Sequence, residues 1–142
     1  MKIVFFGTSR FGLPALDALR ASAHKLSLIV TTKEKPKGRH LQSQPSAVKG
    51  WAKEHGVSCL ETSETRSGVF LEKIQSSGAD LFVVISFGLL LPKTLLEVPK
   101  LTALNVHSSL LPKYRGAAPM HWALINGDPE TGVTVMRMTE KL

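Results

Sequence analysis

The chain has 142 residues, enough for one domain, and its 43% hydrophobic and 20% charged residues exclude a disordered chain, a collagen or a coiled coil. Lysine and arginine number 18 against 11 aspartates and glutamates, and the resulting charge of +7 favours a polyanionic partner, whether nucleic acid, phosphorylated substrate or anionic lipid. The single cysteine, Cys59, excludes an internal disulfide framework and a cysteine-based zinc site, and no apolar run approaches the roughly 20 residues that a membrane helix needs.

Lys2–Phe6 reads as a short buried strand ending at Gly7. Met1–Gly7 is too short for a signal peptide and has no small-residue cleavage site, so a cytoplasmic location is expected. Phe11–Ser22 carries Leu13, Leu16 and Leu19 at helical spacing, with Pro14 confined to the first turn. Leu26–Thr32 is a β-branched, apolar strand. Lys33 to Gln44 has no periodicity and reads as a long loop, the kind that is often functional. Pro45–His55 predicts a helix closed by Gly56, and Val57–Leu60 a short strand. Gly68–Ser77 predicts a helix and Asp80–Ser86 a strong buried strand. Lys93–Glu97 is one helical turn, Leu101–His107 a strand, Trp122–Asn126 part of a helix and Val133–Met138 a last strand. Strands alternate with helices, which predicts an α/β domain with a largely parallel sheet. Its ligands should then lie beyond the carboxyl ends of the strands.

Three strand ends stand out. Gly7-Thr8-Ser9-Arg10-Phe11-Gly12 fails the dinucleotide fingerprint, because Ser9 stands where a second glycine belongs. It fails the P-loop pattern too, because Leu13-Pro14 follows Gly12, and it reads as a strand-to-helix turn in which Gly7 permits tight geometry. The second end is Ser86–Pro92 and the third runs from Asn105 to Pro119. Strand alternation would project Asn105, His107 and Ser109 to one face. An amide N–H suits a developing oxyanion, and an imidazole exchanges a proton near neutral pH. The pair fits acyl transfer without a covalent enzyme intermediate; a core histidine beside an asparagine turn cap is the alternative on spacing alone. Arg115 reads as a structural arginine in a turn, and His121 and Trp122 read as packing residues at a helix start. His24, His40 and His55 have no metal spacing, so no metal is expected. The charges Lys33 to Arg39 read either as a solvated surface or as phosphate contacts.

The whole run Asn-Val-His-Ser-Ser-Leu-Leu-Pro-Lys-Tyr-Arg-Gly-Ala-Ala-Pro resembles the signature of the folate-dependent formyltransferases, most closely their tRNA-directed members. Other segments agree in order: Met1–Thr8, Lys35–Arg39, Pro45–Lys49, Ser86–Pro92 and Gly127–Thr134. The resemblance covers essentially the whole chain. It implies a Rossmann-like formyltransferase fold, mostly parallel with helices on both faces, and one N-terminal catalytic domain over residues 1–142. It implies 10-formyltetrahydrofolate as formyl donor and the α-amine of initiator methionyl-tRNA as acceptor, with no membrane partner. Asn105 would hold the formyl oxygen and His107 would assist at the tetrahedral stage. Phe87, Gly88, Leu89, Leu90 and Leu91 would line the pterin pocket, and Ser109, Leu110, Leu111 and Pro112 would contact the folate. Arg39, with Lys35 and Lys37, would engage the acceptor stem of the tRNA.

Phosphoribosylglycinamide formyltransferase shares Asn-x-His and Ser-Leu-Leu-Pro. It is disfavoured because Thr8-Ser9-Arg10-Phe11 is poor in glycine and because the Arg115–Pro119 run is not its own. Sugar-nucleotide formyltransferases have a similar Arg-Gly segment, but the basic loop suits tRNA better. A non-catalytic RNA-binding module using the sheet and the Lys/Arg loop is the reading from another class. The resemblance also implies an Asp soon after Thr131-Gly132-Val133-Thr134, beyond the last residue, Leu142; Glu140 is out of register. The expectation is an incomplete catalytic domain without its C-terminal β-barrel, with little or no turnover, and with Val133–Met138 as an open sheet edge.

Overall fold

A computed structural model describes residues 1–33 and 45–139, together with the backbone of 36–37 and 42–43. Among the described residues eight strands and five α-helices follow one another. β1 is Lys2–Gly7, α1 Leu13–Ala21, β2 Lys25–Thr32, β3 Pro36–Lys37, β4 Gln42–Ser43, α2 Ala47–Glu54 and β5 Cys59–Thr62. Then come α3 Gly68–Gln75, β6 Leu81–Ile85, α4 Lys93–Leu96, β7 Thr102–His107, α5 Pro119–Ile125 and β8 Thr134–Arg137. A 3₁₀ turn at Arg10–Gly12 leads into α1.

The main sheet has the order β5-β2-β1-β6-β7-β8. The first five strands are parallel, and β8 runs antiparallel beside β7 and forms the edge. Among these six, counted along the chain, the order is the 3-2-1-4-5-6 of the doubly wound fold, so the switch in direction falls between β1 and β6. The carboxyl ends of β1, β2, β5, β6 and β7 therefore meet along one rim.

Alternation along the central strands builds two cores. Phe5, Ile29 and Ile85 face one way and bury Leu16 of α1 with Val48, Trp51 and Ala52 of α2. Val4, Phe6, Phe82, Val84 and Ala103 face the other way and bury Phe70 and Ile74 of α3 with Leu95 of α4. Each fully buried leucine, isoleucine or phenylalanine contributes about 1.5–3 kcal/mol. Ser46 and Ser67 start α2 and α3, each accepting from a backbone N–H one turn on, at 3.0 Å from Lys49 and 3.2 Å from Phe70. Trp51 Nε1 donates to Asp17 Oδ1 at 2.7 Å, tying α2 to α1.

Several boundaries differ from the sequence reading, for local reasons. β5 begins at Cys59, two residues late, because parallel pairing with Ile29–Thr32 sets its register, and Val57 packs into the α2 core instead. The aperiodic basic segment contains a short antiparallel pair, with Pro36 opposite Ser43 and Lys37 opposite Gln42. α5 starts at Pro119, where proline's missing N–H costs nothing. Trp122 does not pack: it is half exposed, and Leu124, Ile125 and Val135 are also exposed. His121 is likewise exposed. No helix among the described residues is long and apolar enough to cross a membrane.

Candidate active site at the carboxyl rim

β7 ends at His107, with Ala103, Asn105 and His107 on one face and Leu104 and Val106 on the other. Ala103 belongs to the core beneath α3 and α4, and Val106 packs against the opposite core. Asn105 pairs in register with Val84 of β6. Two strand residues span about 6.6 Å, so the Asn105 amide and the His107 ring stand side by side on one face. Both are half-buried. Among the described residues the Asn105 side chain has no hydrogen-bond partner, so its amide is available for another group.

His107 Nε2 lies 2.9 Å from the carbonyl oxygen of Tyr114. A carbonyl only accepts, so Nε2 carries the hydrogen and donates. The neutral ring then holds its lone pair on Nδ1, which has no partner among the described residues.

Ser109 does not share the face of Asn105 and His107, because the strand stops at His107. Ser109 is fully buried, and its hydroxyl turns back to donate to the Lys113 carbonyl at 2.7 Å. Thr134 of β8 holds this segment from below. Its hydroxyl donates to the Ser109 carbonyl at 2.8 Å and accepts from Leu111 N at 3.1 Å. Leu110 is exposed and lies over Gly132, where a Cβ would come within 2.6 Å of its Cδ2. The Leu111–Pro112 peptide is cis, and Pro112 is exposed.

The loop after β6 is split by burial. Phe87 is 2% exposed and packs edge-on against Phe6 at 5.3 Å. Leu91 is buried in the same core. Gly88 (φ +82°) and Leu90 are exposed and Leu89 half-buried, so those three are the part of the loop open to a ligand. Leu90 is anchored from behind, its carbonyl accepting from the Thr65 hydroxyl at 2.6 Å.

The first strand end carries no phosphate loop. Gly7 is needed for close approach rather than for a turn: a Cβ there would meet Phe5 Cε1 at 2.5 Å and the Ile85 carbonyl at 2.8 Å. Thr8 then bridges three strands. Its hydroxyl donates to the Phe87 carbonyl at 3.1 Å and lies 3.2 Å from the Thr32 hydroxyl. Buried Thr31 continues the ladder to Ser46 at 2.9 Å. Ser9 Oγ is buried with no partner among the described residues.

Lys35 and Arg39 lie outside the described residues, as does Glu140, and only the backbone of Lys37 is described. The root of that basic segment is fixed at the same rim, where Lys33 N donates to the Thr62 carbonyl at 2.9 Å. Among the described residues no three His, Cys, Asp or Glu side chains gather as metal ligands. Sequence reasoning assigned no role to Thr134, Tyr114 or Asp128. Tyr114 acts on His107 through a backbone carbonyl, which no side-chain pattern reveals. Thr134 and Asp128 both fall in the stretch Gly127–Thr134, whose match to the formyltransferase pattern was the one signal available.

The formyl transferase family matches the chain over residues 1–142, and the chain belongs to that family. It is 48% identical over 138 residues to the methionyl-tRNA formyltransferase of Citrifermentans bemidjiense, which covers 97% of this chain and 43% of that one. It is 46% identical over 142 residues to the methionyl-tRNA formyltransferase of Clostridioides difficile, covering 100% and 46% of the two chains. The chain thus spans less than half the length of these curated relatives. Among solved structures it resembles the phosphoribosylglycinamide formyltransferase of Bacillus halodurans, with a TM-score of 0.77 over 99% of this chain and 73% of that chain. A sugar N-formyltransferase from a Shewanella species matches with a TM-score of 0.60 over 100% of this chain and 52% of the other. Their identities, 18% and 15%, make these likenesses of fold alone.

Proposed function

We propose that this member of the formyl transferase family supplies the formyl-donor half of a methionyl-tRNA formyltransferase. The formyl group of 10-formyltetrahydrofolate passes to the α-amine of initiator methionyl-tRNA. The observation that carries the reading is the Asn105–His107 pair, open on one face of β7 at the rim where doubly wound sheets bind ligands. The identity to named methionyl-tRNA formyltransferases along nearly the whole chain supports this acceptor over a ribonucleotide or a sugar nucleotide.

In this reading the amine nitrogen attacks the formyl carbon. The carbonyl oxygen becomes an oxyanion beside the Asn105 amide, which donates to it. The bond from the formyl carbon to N10 of the folate then breaks. One proton leaves the amine and one reaches N10, and His107 Nδ1 is the group placed to carry it. The free amine titrates near pH 8, so part of it is neutral at pH 7 and a modest base suffices. Gly88, Leu89 and Leu90 would flank the pterin, with Phe87 shaping the loop from inside the core. Leu110, Leu111 and Pro112 would contact the folate, with Ser109 holding their loop. Lys35, Lys37 and Arg39 would meet the tRNA phosphates, beside the rim to which Lys33 is tied.

Calorimetric titration of tetrahydrofolate, with NADH as control, tests the donor half. Folate binding without NADH binding, weakened by Gly88→Val on the open part of the loop, is the expected result. A folded chain that binds RNA with a steep salt dependence and ignores folate would replace this reading with an RNA-binding module.

A further inference from the structure

The ring of His107 is held at one nitrogen by the main chain of Tyr114, and that main chain is itself held in place. Tyr114 has φ +56°, a left-handed conformation that a bulky side chain rarely adopts and that its surroundings must enforce. The Ser109 hydroxyl holds the preceding Lys113 carbonyl at 2.7 Å, and a second set of contacts lies at the far end of the Tyr114 side chain. The Tyr114 phenol donates to Asp128 Oδ2 at 2.8 Å and accepts from Asn126 Nδ2 at 3.0 Å. Lys113 Nζ reaches the same Asp128 oxygen at 3.3 Å. Asp128 is fixed in turn, because its N–H donates to the Ala123 carbonyl at 3.0 Å as the chain leaves α5.

We propose that Asp128 is a positioning residue for His107. Through the Tyr114 phenol it pins the Tyr114 carbonyl, and that carbonyl keeps the His107 hydrogen on Nε2 and the lone pair on Nδ1. The tautomer of a working histidine is set by the bond its other nitrogen makes. The catalytic value of the clamp rests on the formyl-transfer reading, but the clamp itself does not. Asn126 completes the phenol's bonding, and Lys113 balances the carboxylate charge.

The test reads the ring directly. In the 15N-labelled chain the His107 Nε2–H proton, assigned by its loss in His107→Gln, should give a resolved resonance protected from exchange with water. Tyr114→Phe and Asp128→Ala should speed that exchange by about tenfold or more, as expected when a local opening becomes easier. Asp128→Asn, which keeps a carbonyl oxygen for the phenol, should leave it near the parent rate. An exchange rate within about twofold of the parent in both Tyr114→Phe and Asp128→Ala would overturn the proposal. So would the absence of an Nε2–H resonance in the parent chain. Dispersed amide resonances away from residues 107–128 report folding, and a variant that loses them counts against positioning and for a merely structural bond. A chain that binds no folate yet shows the exchange pattern upholds the clamp and removes only the catalytic reading.

Discussion

Replacing Thr134 by valine removes one oxygen and changes little else in shape. The β-branch that suits a strand stays, so β8 keeps its backbone preference. What disappears is the hydroxyl that serves both the Ser109 carbonyl, at 2.8 Å, and Leu111 N–H, at 3.1 Å. Ser109 is fully buried, so its carbonyl has no route to water, while Leu111 is half-buried. An orphaned buried group costs about 1–3 kcal/mol, and the second, wetter group less, so Thr134→Val should lose about 2–4 kcal/mol. At roughly 3 °C per kcal/mol for a chain of this size, the melting temperature should fall by about 6–12 °C. Thr134→Ser keeps the hydroxyl and should recover most of that loss. Thermal denaturation followed by circular dichroism gives the size of the effect, and hydrogen exchange at Leu111 gives its location. A fall of less than about 2 °C with unchanged Leu111 protection would show that the 109–111 loop does not depend on β8.

Gly7→Ala should destabilise by about 1–3 kcal/mol, because the new Cβ meets the Phe5 ring on one side and the Ile85 carbonyl on the other. Urea titration measures it, and a midpoint equal to the parent's would mean that β1 and β6 can separate freely. Asp80 and Asp128 both have carboxyl pKa values held below the ordinary range. For Asp80 the cause is first the Lys100 ammonium and then Lys2 N–H; for Asp128 it is first the Tyr114 hydroxyl, with Lys113 adding to it. A lowered folded-state pKa means stability that is complete above the unfolded value, about 4, and lost as pH falls through the lower folded value. The double variant Asp80→Asn, Asp128→Asn should therefore show a flatter acid limb below pH ~4 than the parent. Parallel acid limbs in the two proteins would remove both carboxylates from the account.

Much of this architecture is legible because side-chain period and burial agree. Leu-Phe-Val-Val-Ile at 81–85 has apolar residues on both faces, and the strand it forms is covered on both faces by helices. Asn105 and His107 stand out for the same reason: polar residues on an interior strand are costly unless they are paired or, near its carboxyl end, turned to the ligand rim. Reading that alternation on to Ser109 fails because the strand has already ended, and alternation says nothing about where pairing stops. The sequence pattern put Phe87 in an expected ligand loop and did not show it as a core residue, since its burial depends on Phe6, 81 positions earlier. Gly7 was legible as a required glycine for the wrong reason. Sequence suggests turn geometry, whereas the neighbouring strand's carbonyl imposes the requirement.

The rim is held together by bonds that join strand ends, and the shortness of the side chains there follows from that. Gly7 lets β1 close on Ile85, which brings Thr8 within reach of the Phe87 carbonyl on one side and the Thr32 hydroxyl on the other. Since Thr8 spends its one hydrogen on Phe87, Thr32 must donate to Thr8. On the neighbouring position, Thr31 meets Ser46, whose oxygen also accepts from the first turn of α2. A longer residue at position 8 could not lie between two strands about 4.8 Å from its own, and an apolar one would strand the Phe87 carbonyl. The loop proposed to hold the folate and the helix that follows the basic segment thus share one buried support. Thr8, Thr31, Thr32 and Ser46 together tie the ends of β1 and β2, the start of α2 and the loop after β6 to one another.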